Sequence, residues 1–153
     1  MTQALYLIRG VPGSGKTTEA LRMAEQFTER GVPVTHLEAD AYFINEAGEY
    51  QYNPAKISHA HAWCRRQTQI ALDDGDVVIV SNTFTKNWEL EDYINRALAK
   101  SIPVHVIQCN GEWDNVHGVP PEKVQVMRDR FEDNAKLAKL WESHDKASLV
   151  FFK

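Results

Sequence analysis

The sequence has little cysteine, no excess of positive charge and no long apolar run among its 153 residues. It carries 17 Lys and Arg against 21 Asp and Glu, which gives a formal net charge of -4. A protein that binds duplex nucleic acid mainly by covering its phosphates is basic, so this class is excluded, although a local positive groove stays possible. The hydrophobic fraction of 43% is typical of a globular chain and excludes a disordered one.

The short apolar runs and the low cysteine content also predict where in the cell the protein is located. Residues 77–80, among the longest purely aliphatic runs, are far too short to cross a bilayer. Near the N-terminus Arg9 interrupts the apolar residues 4–8 and no small-residue cleavage site follows, so we expect no signal peptide. Cys64 and Cys109 form no CxxC pair, and we expect buried thiols rather than a disulfide. These features favour a cytoplasmic protein with no membrane partner.

What is present is an alternation of strand and helix signals, which predicts one α/β domain over residues 1–153. Short apolar runs predict strands buried on both faces, and apolar residues at helical spacing predict the helices between them. We expect a mainly parallel sheet of about five strands with helices on both faces. The predicted strands are residues 4–8, 34–37, 76–80, 104–107 and 149–152, and the predicted helices lie at about 15–30, from 53 to about 73, after residue 84, and from Pro120 onwards.

The last helix is expected to be long and continuous. Pro120 and Pro121 start it, because proline is favoured in the first turn of a helix. Its buried stripe is expected to contain five apolar residues at helical spacing. These are Val124, Met127, Phe131, Ala135 and Ala138.

Residues 10–18, between the first predicted strand and helix, match the phosphate-binding pattern G-x-x-x-x-G-K-[ST]. Glycines let successive backbone N–H groups turn inward around an anion, and the helix N-terminus adds partial positive charge. Lys16 would reach the β- and γ-phosphates, and the Thr17 hydroxyl would ligate Mg²⁺. We therefore predict binding of a nucleoside triphosphate, ATP with Mg²⁺. The nucleotide-binding residues are expected to be Gly10, Gly13, Ser14, Gly15, Lys16, Thr17 and Thr18.

The loop does not by itself distinguish a kinase from other nucleotide-binding proteins. The sequence contains no N-K-x-D motif, which a regulatory GTPase would use to read guanine. A motor or an AAA-type machine would need a longer chain. A small protein with one nucleotide site favours a phosphotransferase that acts on a small or end-group acceptor.

Polar residues follow two predicted strands at the edge of the sheet where ligands of open α/β sheets bind. Asp40 follows the second strand and could accept the proton of an attacking hydroxyl, although a cap is the alternative. Asn82 ends the third strand, where many P-loop proteins carry an aspartate that holds Mg²⁺ through water. Its amide carries no charge, so Asn82 either orients water or contacts the acceptor, and we favour the acceptor.

Two further segments are candidates for the site. Residues 111–120 are rich in glycine and polar residues before a proline-started helix, which is typical of a lid over the triphosphate. Arg128 on the following helix could supply positive charge to the transferring phosphoryl group, and a solvated helix face is the alternative. Tyr42, Phe43, Tyr50, Tyr52 and Trp63 could stack a nucleobase, with an aromatic core as the default.

Taken in order, these motifs resemble the P-loop kinase domains of the polynucleotide 5′-hydroxyl kinase group. The similarity is greatest to the branch typified by the Nedd-four-binding-protein kinase domain and its phage relatives, and it spans roughly residues 5–132. The motifs that carry it are residues 9–18, 38–40, 60–64, 80–85 with 88–89, and 115–120.

The resemblance implies a nucleotide-kinase-like P-loop NTPase fold, a three-layer sandwich, with ATP and Mg²⁺ as donor and a single-stranded or end-exposed DNA or RNA as acceptor. Asp40 aligns with the general base of that group, and Lys16 and Thr17 align with its phosphate and metal contacts. Phe43 stands where the phage kinase has an arginine that grips the 3′-phosphate of the acceptor. Asp114 and His117 occupy the neighbourhood of its lid arginine.

Two alternatives stay open at this point. The first keeps the ATP site but changes the acceptor to a hydroxymethylated base in DNA, a nucleoside or another small hydroxyl compound. The net charge of -4 and the missing arginine near Asp40 favour this alternative. The second is an ATP-binding module that regulates a partner without catalysing transfer.

Overall fold

The computed structural model describes residues 3–113 and 118–152, and its centre is a five-stranded parallel sheet in the order β2-β3-β1-β4-β5. The fold class predicted from the sequence is confirmed, and the strand bounds differ from the expected ones by two residues at most. The elements are β1 Leu5–Arg9, α1 Lys16–Glu29, β2 Val34–Leu37, α2 Ile57–Asp73, β3 Val77–Asn82, α3 Asn87–Ala99, β4 Val104–Gln108, α4 Pro121–Arg130, α5 Asn134–Leu140 and β5 Leu149–Phe152, with 3₁₀ turns at Ala39–Phe43 and Pro54–Lys56.

Helices cover both faces of the sheet, so that the core has two parts. Side chains alternate between the faces along each strand. Leu7 packs into the larger part with apolar residues of α2, α3 and α5, whereas its neighbour Ile8 packs with Ala20 and Met23 of α1. This arrangement is the expected three-layer sandwich. In the described ranges, no helix combines the length and the apolar character needed to cross a membrane.

The prediction of one long helix after Pro120 is wrong, because the chain bends between α4 and α5. The backbone of Phe131 is extended, and the N–H of Glu132 donates to the carbonyl of Thr85 at 2.8 Å. Asp133 then starts a new helix, since its side chain accepts a hydrogen bond from the N–H of Lys136 at 2.8 Å. As a result Asn134 and Leu137 are buried, whereas Ala135 and Ala138 of the expected stripe are exposed.

A buried arginine at the end of β1 connects the sheet to this bend. Arg9 is 0% exposed, and its guanidinium donates to the carbonyl of Phe84 at 3.1 and 2.6 Å and to Oδ1 of Asn134 at 2.9 Å. It also lies 4.1 Å from the centre of the Phe131 ring, which is a cation–π contact. Burial lowers the pKa of Arg9 to about 10, and the nearby carboxylates of Glu89, Asp133 and Glu132 oppose this, so the group stays charged at neutral pH.

We expect Arg9→Leu to lower the free energy of unfolding by about 2–5 kcal/mol, because it leaves the Phe84 carbonyl and the Asn134 side chain without their donor. Urea unfolding measures this change. Arg96→Leu is the matched control: it breaks an exposed i,i+4 pair with Asp92, which is worth less than about 1 kcal/mol. Equal stability of the two variants would contradict the structural importance of Arg9.

Candidate functional site

The phosphate-binding loop connects β1 to α1 and ends at a helix N-terminus without a side-chain cap. α1 begins at Lys16, and no side chain caps its first N–H groups. The hydroxyl oxygen of Ser14 is buried without a hydrogen-bond partner among the described residues. Free N–H groups at a helix N-terminus attract anions, because both their partial charges and their hydrogen bonds lack partners. The residues present therefore fit a phosphate chain of a nucleotide.

Gly10 shows why the loop requires glycine. A Cβ at Gly10 would lie 2.3 Å from the Ser14 hydroxyl oxygen and 2.7 Å from the carbonyl of Cys109. The residue also has φ of +157°, which non-glycine residues rarely adopt. The turn can therefore close onto β4 only if this position has no side chain.

The segment after β4 packs on the other side of the loop. The N–H of Gly111 donates to the Ser14 carbonyl at 3.1 Å, and the N–H of Trp113 donates to the Gly13 carbonyl at 2.8 Å. The Trp113 ring lies over Gly15, where a Cβ would come within 2.8 Å of it, and its side chain is 70% exposed. The two backbone hydrogen bonds fix the loop from the β4 side.

Lys16 lies among the acidic groups of the site. Its ammonium donates to the carbonyl of Val11 at 3.2 Å. Burial lowers its pKa, and the neighbouring Cys109, Glu38 and Asp40 oppose the lowering. Both carboxylates thus favour the charged form of Lys16. Thr18, also predicted to bind nucleotide, is exposed in the first turn of α1.

Glu38 is the site residue that the sequence did not reveal. Its Oε2 accepts hydrogen bonds from the hydroxyl of Thr17 at 3.3 Å and from the hydroxyl of Ser81 at 3.1 Å. Because the single hydroxyl proton of Ser81 goes to Glu38, the 2.7 Å contact between Ser81 and His36 requires His36 to donate through Nε2–H. An acidic residue directly after a strand, at the edge where the loop lies, was the signal available in the sequence.

The donor set around Thr17 fits Mg²⁺. Hydroxyl and carboxylate oxygens are hard ligands, and Mg²⁺ usually takes one or two protein groups together with phosphate oxygens and water. Across residues 3–113 and 118–152, no cluster of three or more His, Cys, Asp or Glu could hold a metal by itself. The site thus suits an ion shared with a bound nucleotide, for which Thr17 and Glu38 would supply the protein oxygens.

Asp40 lies in the 3₁₀ turn Ala39–Phe43, directly after β2. The hydroxyl of Tyr50 donates to its Oδ1 at 3.3 Å. Desolvation and the nearby Asp40 carboxylate raise the pKa of Tyr50 to about 12, so Tyr50 stays protonated and remains a donor at neutral pH. The predicted base is half-buried and oriented by a tyrosine, on the side of the loop that Glu38 also occupies.

Asn82, which the sequence predicts to contact the acceptor, is buried and hydrogen-bonds to the turn that carries Asp40. Its Oδ1 accepts from the N–H of Ala39 at 2.8 Å, and its amide nitrogen lies 3.7 Å from the sulfur of Cys64. These contacts fix the backbone immediately before Asp40. A contact between Asn82 and the acceptor stays a prediction.

Arg128 lies on the opposite side of the loop from Asp40. It borders a cavity of about 340 Å³ that is also lined by Gly10, Val11 and Cys109. Its guanidinium donates to the side chain of Gln125 at 3.0 Å, on an exposed face of α4. Its proposed charge on the phosphoryl group stays a prediction, as does the lid at residues 111–120, of which Asp114 and His117 lie outside the described residues.

Comparison with known proteins identifies relatives of the chain. The sequence model of the AAA_33 family, described as an AAA domain, matches residues 5–133. Human NEDD4-binding protein 2 is 28% identical over 138 residues, which are 84% of this chain but only 8% of that protein. The family match identifies the domain, and the preference for a phosphotransferase over an AAA-type machine stays a prediction.

Two solved structures share the fold. Kti12 of Chaetomium thermophilum, in complex with ADP-AlF3, has a TM-score of 0.69 at 16% identity, over 97% of this chain and 88% of that chain. The Mycobacterium tuberculosis APS kinase CysC, in complex with AMPPNP and APS, has a TM-score of 0.59 at 14% identity, over 95% of this chain and 78% of that chain. The chain therefore has the α/β fold of P-loop kinases.

Substitution of Gly15 tests the loop. Gly15 has φ of +96° and its Cβ would clash with Trp113, so Gly15→Ala is expected to weaken ATP·Mg²⁺ binding by about tenfold or more, from strain of roughly 1–2 kcal/mol. Gly31→Ala is the control, since Gly31 has φ of +71° but open space around its Cβ. A fluorescence titration should show wild-type affinity for the control. Equal affinity of the two variants would refute the steric argument.

Acid should destabilise the protein through His36. Burial lowers the pKa of His36 in the folded state, so between that value and the unfolded value of about 6.5 the unfolded chain binds more protons. Its contribution to stability is therefore complete above about pH 6.5 and declines as the pH falls below it. Urea midpoints should fall less between pH 7.5 and 5.5 in His36→Gln than in the wild type. His59→Gln, at an exposed position of α2, should keep the wild-type pH dependence.

Proposed function

This chain belongs to the AAA_33 family of AAA domains, and we propose that it is an ATP-dependent polynucleotide 5′-hydroxyl kinase. One observation carries the proposal: Glu38, directly after β2, accepts a hydrogen bond from Thr17 of the phosphate-binding loop at 3.3 Å, and Asp40 lies two residues further on in the turn that follows. The similarity to NEDD4-binding protein 2 supports the choice of acceptor, because the ordered motifs resemble the kinase branch typified by that protein.

The two carboxylates have different hydrogen-bond partners, and this suggests different tasks. Glu38 accepts from Thr17, the residue expected to meet the metal, and from Ser81. Asp40 faces the tyrosine-rich turn instead, through Tyr50. We assign Glu38 to the metal side of the site and Asp40 to the acceptor side.

Phosphoryl transfer at this site requires one proton acceptor. Asp40 takes the proton of the acceptor hydroxyl while the oxygen of that hydroxyl bonds to the γ-phosphorus. The bond from that phosphorus to the β,γ-bridging oxygen breaks, and its electron pair stays on ADP. Lys16 and the loop N–H groups stabilise the charge on the phosphoryl oxygens. Bound Mg²⁺ supplies further neutralisation of the phosphates. Positioning and charge provide the rate, with no covalent enzyme intermediate.

Asp40→Asn separates catalysis from nucleotide binding. Removal of the base should lower kcat by about 10²- to 10⁴-fold, whereas the Kd for ATP should change little because Lys16, Thr17 and the loop remain. Transfer of labelled γ-phosphate measures kcat, and a fluorescence titration measures the Kd for ATP. Glu46→Gln, an exposed carboxyl group six residues further on, is the matched control and should retain activity. Normal transfer by Asp40→Asn would show that the base assignment is wrong.

A panel of acceptors tests the substrate in the same assay. It contains single-stranded DNA and RNA with free 5′-hydroxyl ends, the same strands with blocked ends, and several nucleosides. Label only on the free ends would support a 5′-end kinase. Label on blocked strands would indicate an internal hydroxyl such as a hydroxymethylated base, and label on nucleosides a small acceptor. Bound ATP without any transfer would favour the regulatory module.

A further inference from the structure

A second cavity, of about 510 Å³, lies on the Asp40 side of the molecule. Its walls come from residues 42–45, residues 51–53 and Lys56, all in the segment between the 3₁₀ turn of Asp40 and the start of α2. The volume lies within the range of small-ligand sites, roughly 300–1,000 Å³. The transfer proposed for Asp40 uses none of these residues.

The wall of this cavity is an aromatic cluster built on Phe43. Phe43 is only 7% exposed and meets Tyr42 and Tyr52 at 5.6 and 5.2 Å between ring centroids, in edge-to-face geometry. The two tyrosines are themselves 36% and 52% exposed. The buried Phe43 therefore packs against both tyrosine rings, while part of each tyrosine side chain stays exposed to solvent. Rings held in this way offer stacking area at little cost in conformational entropy.

A hydrogen-bonded turn holds the cluster in shape. Ile44 and Tyr50 form an antiparallel bridge, and the N–H of Gln51 donates to the Phe43 carbonyl at 2.8 Å. The Asn45 side chain accepts from two backbone N–H groups within the turn, at 3.0 and 2.9 Å. The cavity is thus largely formed before any ligand binds, which lowers the entropic cost of binding.

The polar groups of the wall complement those of a nucleotide. Within the described ranges, the side-chain amide of Gln51 and the ammonium of Lys56 have no hydrogen-bond or ionic partner. A planar base can stack on tyrosine, a base edge can pair with an amide, and a phosphate can pair with an ammonium group. A small aliphatic alcohol could pair its hydroxyl with one of the polar groups, but it has no aromatic face for the tyrosines and no phosphate for the ammonium group.

Tyr50 connects this wall to the chemistry. Its ring meets Phe43 at 6.3 Å between centroids and is nearly parallel to that of Tyr52, while its hydroxyl donates to Asp40. Tyr50 therefore contacts both the aromatic wall of the cavity and the Asp40 carboxylate. A hydroxyl on the sugar attached to a base in the cavity would lie on the side of the cavity that faces Asp40.

We propose that this cavity binds the base of the nucleotide that carries the acceptor hydroxyl, with Tyr42 and Tyr52 as stacking surfaces. The inference rests on the proposed function and narrows its acceptor to the terminal nucleotide of a DNA or RNA strand. Base stacking tolerates any base, since every base has an aromatic face. The site should therefore require a terminal base without selecting its identity.

Tyr52→Ala tests the assignment with a single-stranded acceptor. Loss of one stacking surface should raise the KM for the acceptor by about 5- to 150-fold and leave the KM for ATP unchanged. The wild type should show the same rise in KM with a strand whose terminal nucleotide lacks its base. With that strand, Tyr52→Ala should raise the KM no further. Tyr52→Phe should retain most of the affinity, because it keeps the ring. Ile70→Ala, an exposed apolar residue further along α2, is the control for an unrelated substitution.

A binding measurement separates this inference from the kinase proposal. Fluorescence anisotropy is measured with DNA and RNA strands whose terminal 5′ carbon bears no hydroxyl, so that no transfer is possible. If the wild type transfers no phosphate and Tyr52→Ala still binds the strands more weakly than the wild type, the base site is supported and the kinase proposal is refuted. Normal transfer with an unchanged acceptor KM and unchanged anisotropy in Tyr52→Ala would refute the base site alone. Equal binding of strands with and without the terminal base would refute it as well.

Discussion

The burial of the Arg9 guanidinium is the constraint on which the loop geometry depends. Arg9 is the last residue of β1 and directly precedes Gly10, so its position determines where the phosphate-binding loop starts. Its donors hold the Phe84 carbonyl after β3 and Asn134 at the start of α5. Asn134 in turn donates to the carbonyls of Val106 and Phe152, which adds β4 and β5 to the same network. One charged group thus joins four strands of the sheet around the loop.

Parallel strands explain how the site is assembled from distant residues. All five carboxyl ends lie at one edge, so the groups after β1, β2 and β3 meet there although they are about 20 to 65 residues apart in the chain. Glu38 and Asp40 follow β2, and Ser81 and Asn82 end β3 beside it. Ser81 and Asn82 both hydrogen-bond to the segment 38–40, which carries the two carboxylates. The end of β3 therefore positions the groups that β2 supplies.

The sequence predicted those parts of this arrangement that depend on local pattern. Buried parallel strands read as apolar runs, and the loop is defined by residue type and spacing, so both could be recognised without tertiary information. The bend after Arg130 could not, because it depends on Glu132 meeting Thr85 and on Arg9 meeting Phe131, contacts between residues far apart in the chain. Glu38 was missed for the same reason: its partners Thr17 and Ser81 become visible only when the strands are paired.

Phe43 shows how one position can change the way an acceptor is recognised. The resemblance to the phage kinase places an arginine there, which would hold a phosphate of the acceptor by charge. In this chain the position carries a buried ring that supports Tyr42 and Tyr52. A buried phenylalanine cannot bind phosphate, but it can orient aromatic neighbours that bind a base. Recognition would then depend on stacking more than on charge, which is consistent with a protein whose net charge is -4.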